Sequence, residues 1–263
     1  FTPDQPRGTL VIFGGSDSCI EEFFPILMVL VERGYDIVLF EGPGQGRVLA
    51  EQQVPLTPDW HKPVKAVLDY FNLDDVTLIG ISMGGYMVLE AAAFEPRIKR
   101  AIAWDVLFNS YNIWLGKLVP VERAFVKSLL RLHAAPVLNA LMGQAMKKNM
   151  VVDWGVHQSM YLLGVKTPFE YLQKLKIFNK GDYFHLVKQD VLLLAGTEDF
   201  GIPVEQFYRQ IEALKNVRSL TARLFTRAEQ AQNHCQVGNL ELALDVIVNW
   251  IEFTTRHSDL NRT

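Results

Sequence analysis

Six short runs rich in Val, Ile and Leu recur along the chain, separated by segments of helix length. They cover residues 10–13, 36–40, 76–81, 100–104, 191–195 and 220–225. Each is nearly continuous in apolar residues rather than alternating. That is the pattern of strands buried on both faces of a parallel sheet. The intervening segments read as helices. Residues 23–33 stop at Gly34, and 83–94 stop before Pro96. Residues 204–215 start after Pro203, and 240–254 carry Leu240, Ala243, Leu244, Ile247, Val248 and Ile251 at helical spacing. Strands alternating with helices predict an α/β fold with a doubly wound, mainly parallel sheet. A chain of 263 residues, 49% apolar, can bury the large core such a sheet needs.

One stretch breaks the rhythm. Residues 106–188 hold no convincing strand, are helix-rich, and carry Trp154, His157, Tyr161, Phe169, Tyr171, Tyr183 and Phe184. An insertion of that length with its own helices predicts a lid or cap after the fourth strand. The core is then 1–105 with 189–263, and the lid 106–188. Leu118, Val119 and Phe125 in the insertion face either substrate or a second copy of the chain, so a homodimer is an open expectation.

The third run leads into Gly80-Ile81-Ser82-Met83-Gly84 and then a helical segment. A GxSxG pattern between strand and helix marks a nucleophile elbow, with Ser82 on a sharp turn. Gly80 and Gly84 remove Cβ atoms that would clash there, and the Met83 N–H and helix N-terminus point at a developing oxyanion. The bland alternative is a Gly-rich turn or phosphate loop, but there is no Walker lysine and no GxGxxG. After the fifth run comes Gly196-Thr197-Glu198-Asp199, where Asp199 is the chosen acid and Glu198 its competitor. After the sixth comes His234, the candidate base. The order Ser82, Asp199, His234 is the order this architecture uses. The first run ends in Phe13-Gly14-Gly15-Ser16-Asp17, where Gly15, or Ser16 in a longer turn, supplies the second oxyanion N–H. Trp154 and His157 are candidate substrate contacts.

These segments resemble a known group. Residues 13–18, 40–46 (Phe-Glu-Gly-Pro-Gly-Gln-Gly), 80–86, 91–98 and 229–236 look like the FrsA-like esterases within the α/β-hydrolases. That group includes fungal yellowish-green pigment hydrolases, which shorten polyketide chains at a carbon–carbon bond, and a pseudo-oxynicotine C–C hydrolase. The resemblance implies a Ser82-His234-Asp199 triad acting on an ester, thioester or β-diketone carbonyl. It also draws attention to an assisting carboxylate near the Gly-Gly turn, for which Asp17 is the nearest match and a plain loop role the alternative. Members carry a longer region before the Gly-Gly strand than the nine residues present here. A pocket wall is therefore expected to be absent from this stretch of chain or supplied by another segment.

The remaining expectations are negative or general. Net charge is −3, which gives nucleic-acid binding no electrostatic support. No apolar run reaches the length of a membrane span. No metal-ligand spacing is visible, and no cofactor is expected. The two cysteines, Cys19 and Cys235, are too few for a disulfide framework, which favours a cytoplasmic setting and leaves a single bridge open. The partner is a small acyl or ketone substrate. Against the enzyme stands a non-catalytic ligand-binding member of the fold, disfavoured by retention of all three triad residues.

Overall fold

In the computed structural model, which describes residues 1–179 and 181–260, the apolar runs form one six-stranded parallel sheet. Its strands are β1 (Thr9–Phe13), β2 (Asp36–Leu39), β3 (Val76–Ile81), β4 (Ile98–Trp104), β5 (Asp190–Gly196) and β6 (Ser219–Phe225). The order is β2-β1-β3-β4-β5-β6. β1 and β3 to β5 read as continuous apolar runs because their neighbours bury them on both faces. β2 and β6 are the edge strands, and β6 keeps Ser219, Thr221 and Ala222 exposed, so its pattern is weaker.

The helices are α1 (Ile20–Glu32), α2 (Gly46–Gln52), α3 (His61–Tyr70), α4 (Gly84–Phe94), α5 (Ser110–Gly116), α6 (Pro120–Arg131), α7 (Ala135–Lys148), α8 (Met150–Leu163), α9 (Pro168–Leu175), α10 (Glu205–Ala213) and α11 (Leu240–Leu260). α1 starts three residues before the expected Phe23, because the Glu41 carboxylate accepts the Ile20 N–H at 3.1 Å. Sequence reading gave no helix at α2 or α3. α3 buries only Val64 and Leu68, and its first N–H goes to Glu90, 29 residues away, rather than to a local cap.

The chain divides into two compact units. The first is Phe1–Gly42, Asp59–Phe108 and Gly181–Thr263, and the second is Pro43–Pro58 and Asn109–Lys180. In the first, Leu10, Ile12, Ile102, Trp104 and Leu192 pack against Leu27 and Leu30 of α1 and Ile247 and Ile251 of α11. α4 lies on β3 and β4, with α3 packed on it. The second unit is helical. Leu129, Leu138, Met142, Val156 and Leu172 form its interior, and the Leu56 N–H binds the Leu162 carbonyl at 2.8 Å. Asn149 caps α8, and Thr167 with Glu170 forms a capping box on α9. Val119 and Phe125 are exposed there, and Leu118 is half-buried. Among the described residues, no helix is long and apolar enough to cross a membrane. Cys19 and Cys235 are both free thiols, so the bridge left open from sequence is not formed.

Candidate active site

The first turn after β1, the turn after β3, and the loops after β4, β5 and β6 all leave the carboxyl end of the sheet. β1 and β3 are adjacent, with β2 on the far side of β1, so the winding reverses between them. In open α/β sheets a ligand crevice forms at the carboxyl ends of the strands flanking such a reversal. Gly15 and Ser82 stand there.

Ser82 sits at φ +60°, in the left-handed region. Its N–H binds the Trp104 carbonyl at 2.7 Å, and its carbonyl accepts from Gly85 at 2.9 Å. The turn is tight enough to exclude side chains on both sides. A Cβ on Gly80 would lie 2.1 Å from the Gly84 carbonyl oxygen, and one on Gly85 would lie 1.8 Å from that of Asp105. α4 begins directly behind, so the Met83 N–H lies at a helix N-terminus.

Ser82 Oγ is 2.8 Å from His234 Nε2. His234 Nδ1 is 2.6 Å from Asp199 Oδ2. The other oxygen of Asp199 accepts the Gly201 and Ile202 N–H groups at 2.6 and 2.9 Å, which fixes the carboxylate. Glu198 instead pairs with Arg227 at the surface. Burial works to raise the Asp199 carboxyl, but the hydrogen bonds from His234 and the Ile202 N–H outweigh it, and Asp199 is held below its ordinary value. For His234, burial alone would lower proton affinity. The carboxylates of Asp105 and Asp199 more than reverse that, so the imidazole is raised well above its ordinary value.

Gly15 packs directly on the serine. A Cβ at position 15 would lie 2.8 Å from Ser82 Cβ and 3.1 Å from Oγ. Its N–H donates to Ser18 Oγ at 3.3 Å. Ser16 is half-buried and Asp17 exposed on the same turn. Gly15→Ala would fill the space beside Oγ and so tests the expectation that the Gly15 N–H is an oxyanion donor. Since losing one oxyanion donor costs about 10²–10³ in kcat, that variant is expected to fall about 100-fold in aryl-ester turnover with unchanged Ser82 burial. Parent-like turnover would show that Gly15 lines no reacting space.

Trp154 and His157 belong to the helical unit. Trp154 is exposed on α8, and His157 pairs with Asp153 one turn away on the same helix. The strongest residue missed by sequence reading is Asp105. It is 1% exposed, has φ +75°, and follows β4 immediately. Its Oδ2 lies 3.1 Å from His234 Nδ1 and accepts the Cys235 N–H at 2.7 Å. A carboxylate directly after a buried strand was the signal that selected Asp199, and Asp105 carries the same signal. Asp105, His234 and Cys235 also bring an oxygen, a ring nitrogen and a sulfur within 4.8 Å of one another. His234 Nδ1 is already engaged by carboxylates, and burial pushes the Cys235 thiol up to about 11, away from the thiolate a metal needs. The grouping therefore reads as an acid–base cluster.

The chain matches the model of the alpha/beta hydrolase fold over residues 10–231. It is 28% identical over 233 residues to hydrolase acrC of Aspergillus aculeatus, covering 82% of this chain and 53% of that protein. It is 29% identical over 200 residues to 20-hydroxy-prefusarin hydrolase FUS2 of Gibberella moniliformis, covering 71% and 47%. The chain thus spans about half the length of the curated relatives it matches. Among solved structures, 2,6-dihydroxy-pseudo-oxynicotine hydrolase superposes with a TM-score of 0.62 at 21% identity, covering 90% of this chain and 57% of that one. The sheet order, the strained serine between β3 and α4, and a family match across the strands on both sides of it agree. The chain belongs to the alpha/beta hydrolase family.

Proposed function

We propose that the chain is a serine hydrolase in which Ser82 attacks a carbonyl carbon of a small-molecule substrate. The observation that carries this reading is the unbroken relay Ser82 Oγ–His234 Nε2, His234 Nδ1–Asp199 Oδ2, at 2.8 and 2.6 Å. His234 takes the Oγ proton as the new C–O bond forms. Asp199 fixes the tautomer and stabilises the imidazolium. The Met83 and Gly15 N–H groups receive the oxyanion, Gly15 turning its N–H from Ser18. His234 returns the proton to the leaving group, and water then resolves the acyl-enzyme by the same steps.

The bond broken is that of an ester or thioester, or the carbon–carbon bond of a β-diketone. The second reading rests on the resemblance to polyketide-shortening hydrolases and gains support from the relative named for 20-hydroxy-prefusarin. In that case the leaving group is an enolate, which takes the His234 proton at carbon or at oxygen. A fluorophosphonate probe is expected to label the protein once, with the adduct on Ser82 by peptide mass. Short aryl esters set against a β-diketone panel, with products identified by mass, decide the bond. An adduct elsewhere, or none, sinks the serine reading.

A further inference from the structure

Three features lie outside the relay just described. A groove of about 620 Å³ runs along the β2 edge beside Phe1, Phe24 and Phe71, but nothing in the structure says what covers it. A cavity of about 380 Å³ lies inside the helical unit between Trp114, Met142 and Tyr171, lined mainly by apolar groups that select no particular ligand. The third is Asp105, a buried carboxylate that the mechanism above leaves without a part.

We propose that Asp105 is a positioning residue that shares His234 with Asp199, so the imidazole Nδ1–H faces two carboxylates and either can hold it. The inference rests on the serine-hydrolase reading. Its geometry is independent of that reading. Asp199 Oδ2 and Asp105 Oδ2 lie 2.6 and 3.1 Å from the same nitrogen. They arrive from adjacent strands, β5 and β4, whose register sets Trp104 beside Leu194. Asp105 is held from three sides. Its carboxylate accepts the Cys235 N–H, its own carbonyl occupies the space left by Gly85, and its backbone is in the left-handed region at φ +75°.

Two carboxylates on one site do not both ionise freely. Burial pushes the Asp105 carboxyl up, with the Asp199 charge adding to it and the His234 hydrogen bond only partly opposing. Asp199 is shifted the other way. Of the two, Asp199 is therefore the more readily ionised and Asp105 the more readily protonated. When Asp199 is made neutral, the like charge vanishes, Asp105 ionises more readily, and it takes over the Nδ1–H. The titratable groups facing Asp105 among the described residues are His234 and Cys235 from the loop after β6 and Asp199 from the loop after β5. α4 brings Gly85 against the Asp105 carbonyl.

A purely structural role is the rival, since Asp105 also tethers the loop of His234 through Cys235. Labelling rates with the fluorophosphonate probe separate the two, measured from pH 5 to 9 on the parent, Asp105→Asn, Asp199→Asn and the double variant. Loss of a lone triad carboxylate lowers rate by about 10⁴-fold. Asp199→Asn is expected to fall only about 100-fold, and its residual rate to climb with pH as Asp105 ionises. Asp105→Asn is expected to fall about tenfold or less, the worth of one ordinary hydrogen bond. The double variant is expected to fall about 10⁴-fold and to lack the climb. If Asp199→Asn already reaches the level of the double variant, or its rate shows no climb with pH, Asp105 does not share the imidazole. Should the Asp105 variants fail to fold, the size and pH dependence of the Asp199→Asn loss decide alone. If the parent is not labelled at Ser82, the serine reading falls and this proposal with it.

Discussion

Replacing Ser82 by alanine is expected to lower kcat by about 10⁶-fold while leaving KM within a few-fold, since removing a triad nucleophile alone costs about as much as removing the whole triad. What remains is the rate supported by substrate binding and the oxyanion donors. The loss is large because Ser82 Oγ is the oxygen hydrogen-bonded to His234 Nε2, at 2.8 Å. Stability follows a different rule. Ser82 is held at φ +60°, where a Cβ costs about 1–2 kcal/mol. Alanine keeps that Cβ and is expected to melt with the parent. Ser82→Gly removes it and is expected to raise Tm by about 2–4 °C for each kcal/mol released, with equal loss of activity. Two inactive variants with different melting temperatures would tie the strain to the nucleophile's own backbone. An alanine variant that turns over aryl esters at the parent rate would end the assignment.

The parts of the fold legible in the sequence were those whose cause is local or periodic. β1 and β3 to β5 are buried on both faces and so spell out apolar runs. The strand–turn–helix around Ser82 was legible because an apolar run, two glycines and a helical segment adjoin it in sequence. α3 was not legible, since its first N–H is satisfied by Glu90 on a different helix. The early start of α1 was hidden for the same reason, as Glu41 caps it from beyond β2. Asp105 shows a different kind of limit. Its position after β4 matched the rule used to choose Asp199, but the rule assumed one acid per histidine. Only the packing of adjacent strand ends on one imidazole shows that two carboxylates reach it. Gly85 was hidden as well. Sequence reading gave Gly80 and Gly84 the steric burden of the turn, and a Cβ at Gly84 would meet the Gly14 carbonyl oxygen at 2.9 Å. The tightest contact is one position further on, against a residue 20 places away in the chain.

Gly85→Ala is accordingly expected to be the most destabilising conservative substitution in the site. The new Cβ would sit 1.8 Å from the Asp105 carbonyl oxygen, a separation at which backbone must move. Neither side can yield easily. Gly85 is in the first turn of α4, buried along nearly its whole length, and Asp105 already occupies a left-handed backbone conformation at the end of β4. Overpacking of a rigid core costs about 1–3 kcal/mol and occasionally more. With backbone rather than side chain obstructing, the upper end applies, and Tm is expected to fall by roughly 10 °C at about 2–4 °C per kcal/mol. The displacement also moves Asp105 away from the Cys235 N–H and His234 Nδ1, so activity drops in the fraction that stays folded. Gly143 supplies the matched control. It lies within α7, and a Cβ there meets nothing within 4 Å. Gly143→Ala gains helix propensity without a clash and is expected to stabilise by about 1 kcal/mol. Opposite signs of the Tm shift for the two glycine-to-alanine changes, read in parallel thermal melts, are the outcome required. Equal shifts would mean that the close approach between α4 and the end of β4 does not hold the elbow in place.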